Sequence, residues 1–175
     1  MNFDRIYREG KMTERFVVYL SLALLFIISV TYFYWFGNDI FFYQENKSLF
    51  IFSTEYLQKF TTKPGGLLEY AGNFLTQGYY SSVYGSLLVS SLLVLPGIIF
   101  IEINKRLSAD ESLSLLFILL PSCFLLLSQK DYDHSLYYNI GYLLVALWFL
   151  FSIFRVGKQH RLIILALFPL FFYVV

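Results

Sequence analysis

Long uncharged apolar runs alternate with short polar segments along this chain, and one polar segment is far longer than the others. Phe16 to Phe36 carries no charge. At ~1.5 Å rise per residue it spans about 30 Å as a helix, the hydrocarbon thickness of a bilayer. Further apolar runs recur towards the C-terminus. The pattern predicts an all-α, polytopic membrane helix bundle with about five transmembrane helices, at residues 16–36, 80–101, 109–127, 135–154 and 162–175. Ser108 followed by Glu111 fits a capping box that starts the third. A cleaved signal peptide competes for the first run. Its length argues for an uncleaved anchor, and so does its bulky end, Thr31-Tyr32-Phe33-Tyr34-Trp35-Phe36, where cleavage needs small residues. The last run is apolar to Val175 and short of a full crossing, so the chain is expected to be the front part of a longer one.

The long connection, 37–80, has structure of its own. Phe52, Tyr56 and Phe60 fall on one helical face. Lys63-Pro64-Gly65-Gly66 breaks that helix. Beyond it, Leu67, Leu68, Ala71, Phe74 and Leu75 form a stripe opposite Glu69, Asn73, Thr76 and Gln77. Two interfacial amphipathic helices are predicted, at about 53–61 and 66–77, with Tyr56, Phe60, Leu67 and Phe74 on their apolar faces. Before them, Ile40-Phe41-Phe42 and Leu49-Phe50-Ile51-Phe52 flank a polar Gln44-Glu45-Asn46-Lys47 tip, which reads as a small hairpin. In the second crossing Gly85, Ser86 and Ser90 make a small-residue face for close helix packing.

Composition sharpens the class. Of 175 residues, 58% are hydrophobic and 14% charged, and the mean hydropathy is +0.62; about a quarter charged is usual for soluble domains. The net charge of +1 gives no argument for nucleic acid or for an acidic partner. No phosphate loop, dinucleotide fingerprint or nucleophile elbow is present, so no cofactor is implied. The lone Cys123 excludes an intramolecular disulfide and is expected to be a buried, inert thiol.

Charge also sets orientation. Nine of the thirteen Lys and Arg residues lie in the basic segment 1–15 and in the turns at 102–111 and 155–161. The positive-inside rule therefore expects an inner-membrane, multi-pass protein with a cytoplasmic N-terminus and with 37–80 and 128–135 periplasmic or extracellular. Twelve of the fifteen tyrosines fall on or near that outer side.

The outer connections hold the candidate chemistry. Asp39 and Glu45 are candidate catalytic carboxylates, able to act as a general base. Asp131, Asp133 and His134 put two carboxylates and an imidazole within four residues, a candidate substrate or metal site. A polar turn between membrane helices needs such residues for solvation anyway. No charge lies within the apolar part of a predicted crossing, Asp110 and Glu111 falling in the polar first turn of 109–127, which argues against an ion pump.

Several stretches carry a resemblance: Tyr43-Gln44-Glu45, Leu49-Phe50-Ile51-Phe52-Ser53, Pro64-Gly65-Gly66-Leu67-Leu68-Glu69-Tyr70, Phe74-Leu75-Thr76-Gln77 and 131–139. In these, over about residues 15–145, the chain resembles an uncharacterised family of multi-pass inner-membrane proteins of Bacteroidota, a domain of unknown function. The resemblance implies a longer chain with more crossings and carries over no catalytic residue. In layout the chain is also similar to multi-spanning glycosyltransferases that use polyprenyl-phosphate sugars. That similarity would make Asp39 or Glu45 the base, although the acidic pair of those enzymes at the loop start is missing here.

Three functions follow: an interaction or structural component at the outer membrane face, in contact with the bilayer and a protein partner; alternatively, a glycosyltransferase-like enzyme acting on a lipid-linked substrate; third, a transporter fragment. Topology is directly testable. A phosphatase fused at Lys63 is predicted to be active and a green fluorescent protein at the same site dark; fluorescence there would reverse the orientation.

Overall fold

The computed structural model describes residues 3–107, 115–155 and 161–174. Among these residues every regular element is helical: α1 (Phe3–Phe36), α2 (Asn38–Lys47), α3 (Thr54–Thr61), α4 (Gly66–Thr76), a 3-10 turn (Gln77–Tyr80), α5 (Ser82–Leu107), α6 (Leu115–Ser128), α7 (Leu136–Arg155), α8 (Arg161–Ala166) and α9 (Phe168–Val174). Helix α5 is the hub, packing against α1, α6 and α7. Of the apolar stretches long enough to cross a bilayer, it is the most enclosed: 61% of its window is buried, against 17% for α1 and 33% for α7.

Three described helices are long and apolar enough to cross a membrane: Phe16–Phe36, Ser82–Lys105 and Leu136–Phe154. The expected five are therefore reduced. Of the third expected helix the described part holds a shorter apolar stretch, Ile118–Ser128, and its expected start, with the Ser108–Glu111 capping box, lies outside the described residues. The expected fifth is divided into α8 and α9, of six and seven residues. Pro169 has no N–H for the helical ladder, so the chain resets within the first turn of α9. This end folds back on α7. The Trp148 indole N–H donates to the Ile164 carbonyl at 3.0 Å, and the Trp148 ring stacks on Phe171 with centroids 4.8 Å apart.

Ser86 and Ser90 are buried in α5, on the face where Gly85 meets the Phe41 ring. Phe33, Phe41, Tyr79, Val89, Leu93, Leu125 and Leu136 form one core that joins α1, α2, α5, α6 and α7. Cys123, expected to be buried, is exposed. Ile118, Ser122 and Leu125 are buried on its helix, and Gln129 just beyond its end, at helical spacing, so Cys123 falls on the open side.

The segment 37–80 folds onto one end of this bundle as a cap. The hairpin expected around residues 40–52 is instead helix α2. Its buried residues are Phe41 and Gln44, one turn apart, and the polar member of that pair hides the helical period from a hydrophobicity pattern. The next two helices have clear local causes. The Ser53 hydroxyl caps α3 by accepting the Tyr56 N–H at 3.0 Å. Pro64 and Gly65 occupy the centre of a turn closed by the Gly66 N–H on the Lys63 carbonyl at 3.1 Å. Gly65 has φ 69°, which only glycine adopts cheaply. A Cβ on Gly66 would stand 1.8 Å from the Phe60 carbonyl oxygen, so the second glycine is needed too.

Helix α4 then lies against the start of α7 with almost no clearance. A Cβ on Gly72 would meet the Tyr137 Cβ at 2.7 Å and its backbone nitrogen at 3.1 Å. Backbone cannot rotate away as a side-chain tip can. The substitution Gly72→Leu is predicted to lift α4 from α7 at a cost of about 1–3 kcal/mol, read as a lower unfolding temperature of the purified protein. An unchanged temperature would contradict the close approach.

Candidate functional site

Connections far apart in sequence meet beneath the cap. Lys47, at the end of α2, places its Nζ 2.6 Å from Asp133 Oδ1 in the turn before α7. The Tyr43 hydroxyl donates to the same oxygen at 2.9 Å. Gln44 Nε2 donates to the His134 carbonyl at 2.9 Å. On the other flank, Gln77 Nε2 donates to the Ser48 carbonyl at 2.7 Å, and the Ser48 and Thr76 hydroxyls share a hydrogen bond. Helix α2 is thereby tied to both α4 and the turn preceding α7.

A buried amide network continues inward. His134 Nε2 and Asn139 Oδ1 are 3.0 Å apart, and Gln129 Nε2 donates to that oxygen at 3.2 Å. Asn139 is wholly buried and Gln129 nearly so. Buried polar atoms left unpaired cost about 1–3 kcal/mol each, so the two bonds on the Asn139 oxygen hold α6, α7 and the turn between them in place, while Asn139 Nδ2 itself has no partner among the described residues.

Between these elements lies a polar cleft of about 260 Å³, lined by Gln44, Lys47, Ser48, Glu69, Gly72, Asn73, Thr76, Tyr132, Asp133, Ser135, Leu136, Tyr137 and Tyr138. Glu69 Oε2 has Lys63 Nζ 3.5 Å away, a long contact. Both bonds to Asp133 from α2 fall on one carboxylate oxygen, Oδ1. The Tyr132 ring stands edge-on to Tyr43 at 5.9 Å, and Tyr138 is flanked by Tyr137 at 4.3 Å and His134 at 5.4 Å.

The candidates read from sequence are distributed unevenly here. Asp133 lines the cleft. Asp131 is exposed, and its Oδ1 accepts the Asp133 N–H, shaping the turn. His134 faces inward to Asn139. Among the described residues no group of three His, Cys, Asp or Glu side chains is arranged to hold a metal ion. Asp39 is exposed in the first turn of α2, Glu45 is half-buried, and neither lines the cleft. Lys47, Gln44 and Glu69 are cleft residues that sequence reasoning did not single out as site residues. Reading 38–47 as a helix would have put Tyr43, Gln44 and Lys47 on adjoining positions of one face.

The four residues predicted on the apolar faces also divide. Phe60 is buried, and with Tyr56 and Tyr70 it joins a ring cluster around Phe50, whose centroid lies 5.4 Å from Tyr56, 4.8 Å from Tyr70 and 5.4 Å from Phe74. Leu67 and Phe74 remain exposed, as do Leu49, Ile51 and Phe52 on the neighbouring loop.

The fold is thus an all-helical one, with three helices of membrane-crossing length and a polar cleft under a helical cap. The chain belongs to a family of unknown function, DUF6057, whose model matches residues 14–175. No curated protein and no solved structure matches it.

The Lys47–Asp133 pair has a pH signature. Hydrogen bonding from Lys47, then from Tyr43, holds the Asp133 carboxyl below its ordinary range. The bond to Asp133 raises the Lys47 amine above its ordinary value. Asp133's contribution is present above the ordinary carboxylate range and is lost as pH falls through its lowered pKa. That of Lys47 is present below the ordinary lysine pKa and is lost as pH rises through its raised pKa. The tether is therefore predicted to hold through neutral pH and to release at either extreme. Since acylation needs the free amine, Lys47 should react at lower pH in Asp133→Asn than in the parent protein, measured by mass spectrometry. Superimposable pH profiles would contradict the pairing.

Proposed function

We propose that this chain is a multi-pass bacterial inner-membrane protein that works as a binding component at the outer membrane face. In this reading its N-terminus is cytoplasmic, and 37–80 and the turn at 128–135 form one periplasmic or extracellular cap. The basic residues of 1–15 and of the turns at 102–111 and 155–161 support the orientation. The exposed apolar residues Phe16, Leu20, Leu24, Ile27 and Ile28 of α1 support contact with lipid.

One observation carries the binding role: α4 has two working sides. Glu69, Asn73 and Thr76 line the polar cleft, while Leu67 and Phe74 are left uncovered on the outside. Together with Phe52, which is 79% exposed, they make an apolar rim suited to a protein partner seated at the outer face. A photo-crosslinking amino acid at Leu67 or Phe74 is predicted to yield the same discrete protein adduct in cells, with none at Leu20 on α1. Lipid adducts alone at all three positions would remove the interaction reading.

The catalytic reading is favoured by a separate observation, the Glu69 carboxylate in the cleft wall with only a long contact to Lys63. In it Glu69 joins Asp39 and Glu45 as a candidate base toward a lipid-linked substrate. The binding role expects Asp39→Asn and Glu45→Gln to leave the partner adduct and growth unchanged. A growth defect from either, at normal expression, favours the enzyme.

A further inference from the structure

We propose that the cleft between α2, α4 and the start of α7 binds a neutral pyranose ring. This inference rests on the outer-face binding role and names the ligand class of its cleft.

Position is the first argument. Leu136, Tyr137 and Tyr138 line the cleft and are also the first residues of the third membrane-length stretch, Leu136–Phe154. With that stretch crossing the bilayer, as the outer-face role has it, a ligand seated there would meet the headgroup layer.

Charge narrows the ligand further. Lys47 is the only cation in the lining, and Asp133 neutralises it at 2.6 Å. Glu69 adds a second carboxylate to the lining, with Lys63 Nζ 3.5 Å from it, so no ammonium stands free of a carboxylate there to hold a phosphate or carboxylate ligand. A metal ion lacks its ligand set among the described residues. A neutral molecule rich in hydroxyls fits instead, because each hydroxyl both donates and accepts.

The lining matches such a molecule group by group. Glu69 is an acceptor, and so is Asp133 Oδ2, which takes neither bond from α2. Asn73 lines the cleft with an amide that both donates and accepts, while its backbone carbonyl serves Thr76 and Gln77. Ser135 adds a hydroxyl. Sugar rings also present C–H faces, which pack on aromatic rings. Tyr132 and Tyr138 are braced by neighbouring rings and yet remain 48% and 47% exposed. Half-exposed rings packed on neighbouring rings, beside carboxylate and amide groups, give both halves of that recognition.

The test uses the full chain in lipid nanodiscs prepared without any sugar-based detergent. Methyl α-glucoside, galactoside and mannoside are titrated by saturation-transfer NMR, and a monohexosyl diacylglycerol is added to the nanodisc in a second arm. At least one pyranoside or the glycolipid is expected to bind. Tyr138→Ala and Glu69→Gln should weaken that binding at least tenfold, Tyr138→Phe should restore it, and Glu45→Gln, outside the cleft, should leave it unchanged. Binding of free pyranosides identifies the ring alone as sufficient; binding only of the glycolipid identifies a membrane-borne headgroup. No binding in either arm overturns the proposal, as does binding that Tyr138→Ala and Glu69→Gln leave intact. Failure here would leave the outer-face role standing, because the Lys63 fusions and the crosslinking at Leu67 and Phe74 report on that independently.

Discussion

Burying an amide beside an apolar bundle favours pairing, and here Gln44, Gln129 and the oxygen of Asn139 are paired together, while Asn139 Nδ2 has no partner among the described residues. Gln44 reaches from α2 to the His134 carbonyl, while His134 and Gln129 converge on the Asn139 oxygen. Gln44 and His134 lie 90 positions apart in sequence, so forming this network brings the long connection down onto the turn before α7. The cleft follows from that closure. Without it Lys47 would not reach Asp133, and Glu69 and Tyr138 would not face one space. Dispersion and apolar burial then reinforce the arrangement, with Phe41 packed on Phe33 and Tyr79.

Much of the cap's local structure is legible in the residues, and the reasons are local. Ser53 as a cap, Pro64 at a turn and two following glycines each act within a few positions of themselves, so short-range chemistry reveals them. The uncharged runs that become the long helices are equally plain, because length alone distinguishes them. Helix α2 is different. Its buried face holds Gln44 beside Phe41, and a polar residue that is buried by long-range pairing looks solvent-facing in a pattern of hydrophobicity. Exposure of Leu67 and Cys123 is hidden for the related reason that apolar residues facing outward carry the same letters as those facing a core.

The candidate site shows the same division. Asp133 stands out in Asp131-Tyr132-Asp133-His134 because the cluster is contiguous. Glu69 and Lys47 do not, since what makes them site residues is a partner far along the chain. Asp39 and Glu45 draw attention as carboxylates early in the long connection, yet they stand outside the cleft lining. Chemistry that depends on contiguity can be read from sequence; chemistry that depends on closure needs the fold.

The two connections form one closed cap, and zero-length carbodiimide coupling tests that closure most directly. Activation of a carboxylate lets a touching amine form an amide, and Lys47 Nζ lies 2.6 Å from Asp133 Oδ1. Proteolysis and mass spectrometry of the coupled protein should recover a Lys47–Asp133 crosslinked peptide as a major product, absent in Asp133→Asn. Recovery of Lys47 uncoupled, or coupled to carboxylates elsewhere, would contradict the closed cap and with it the cleft.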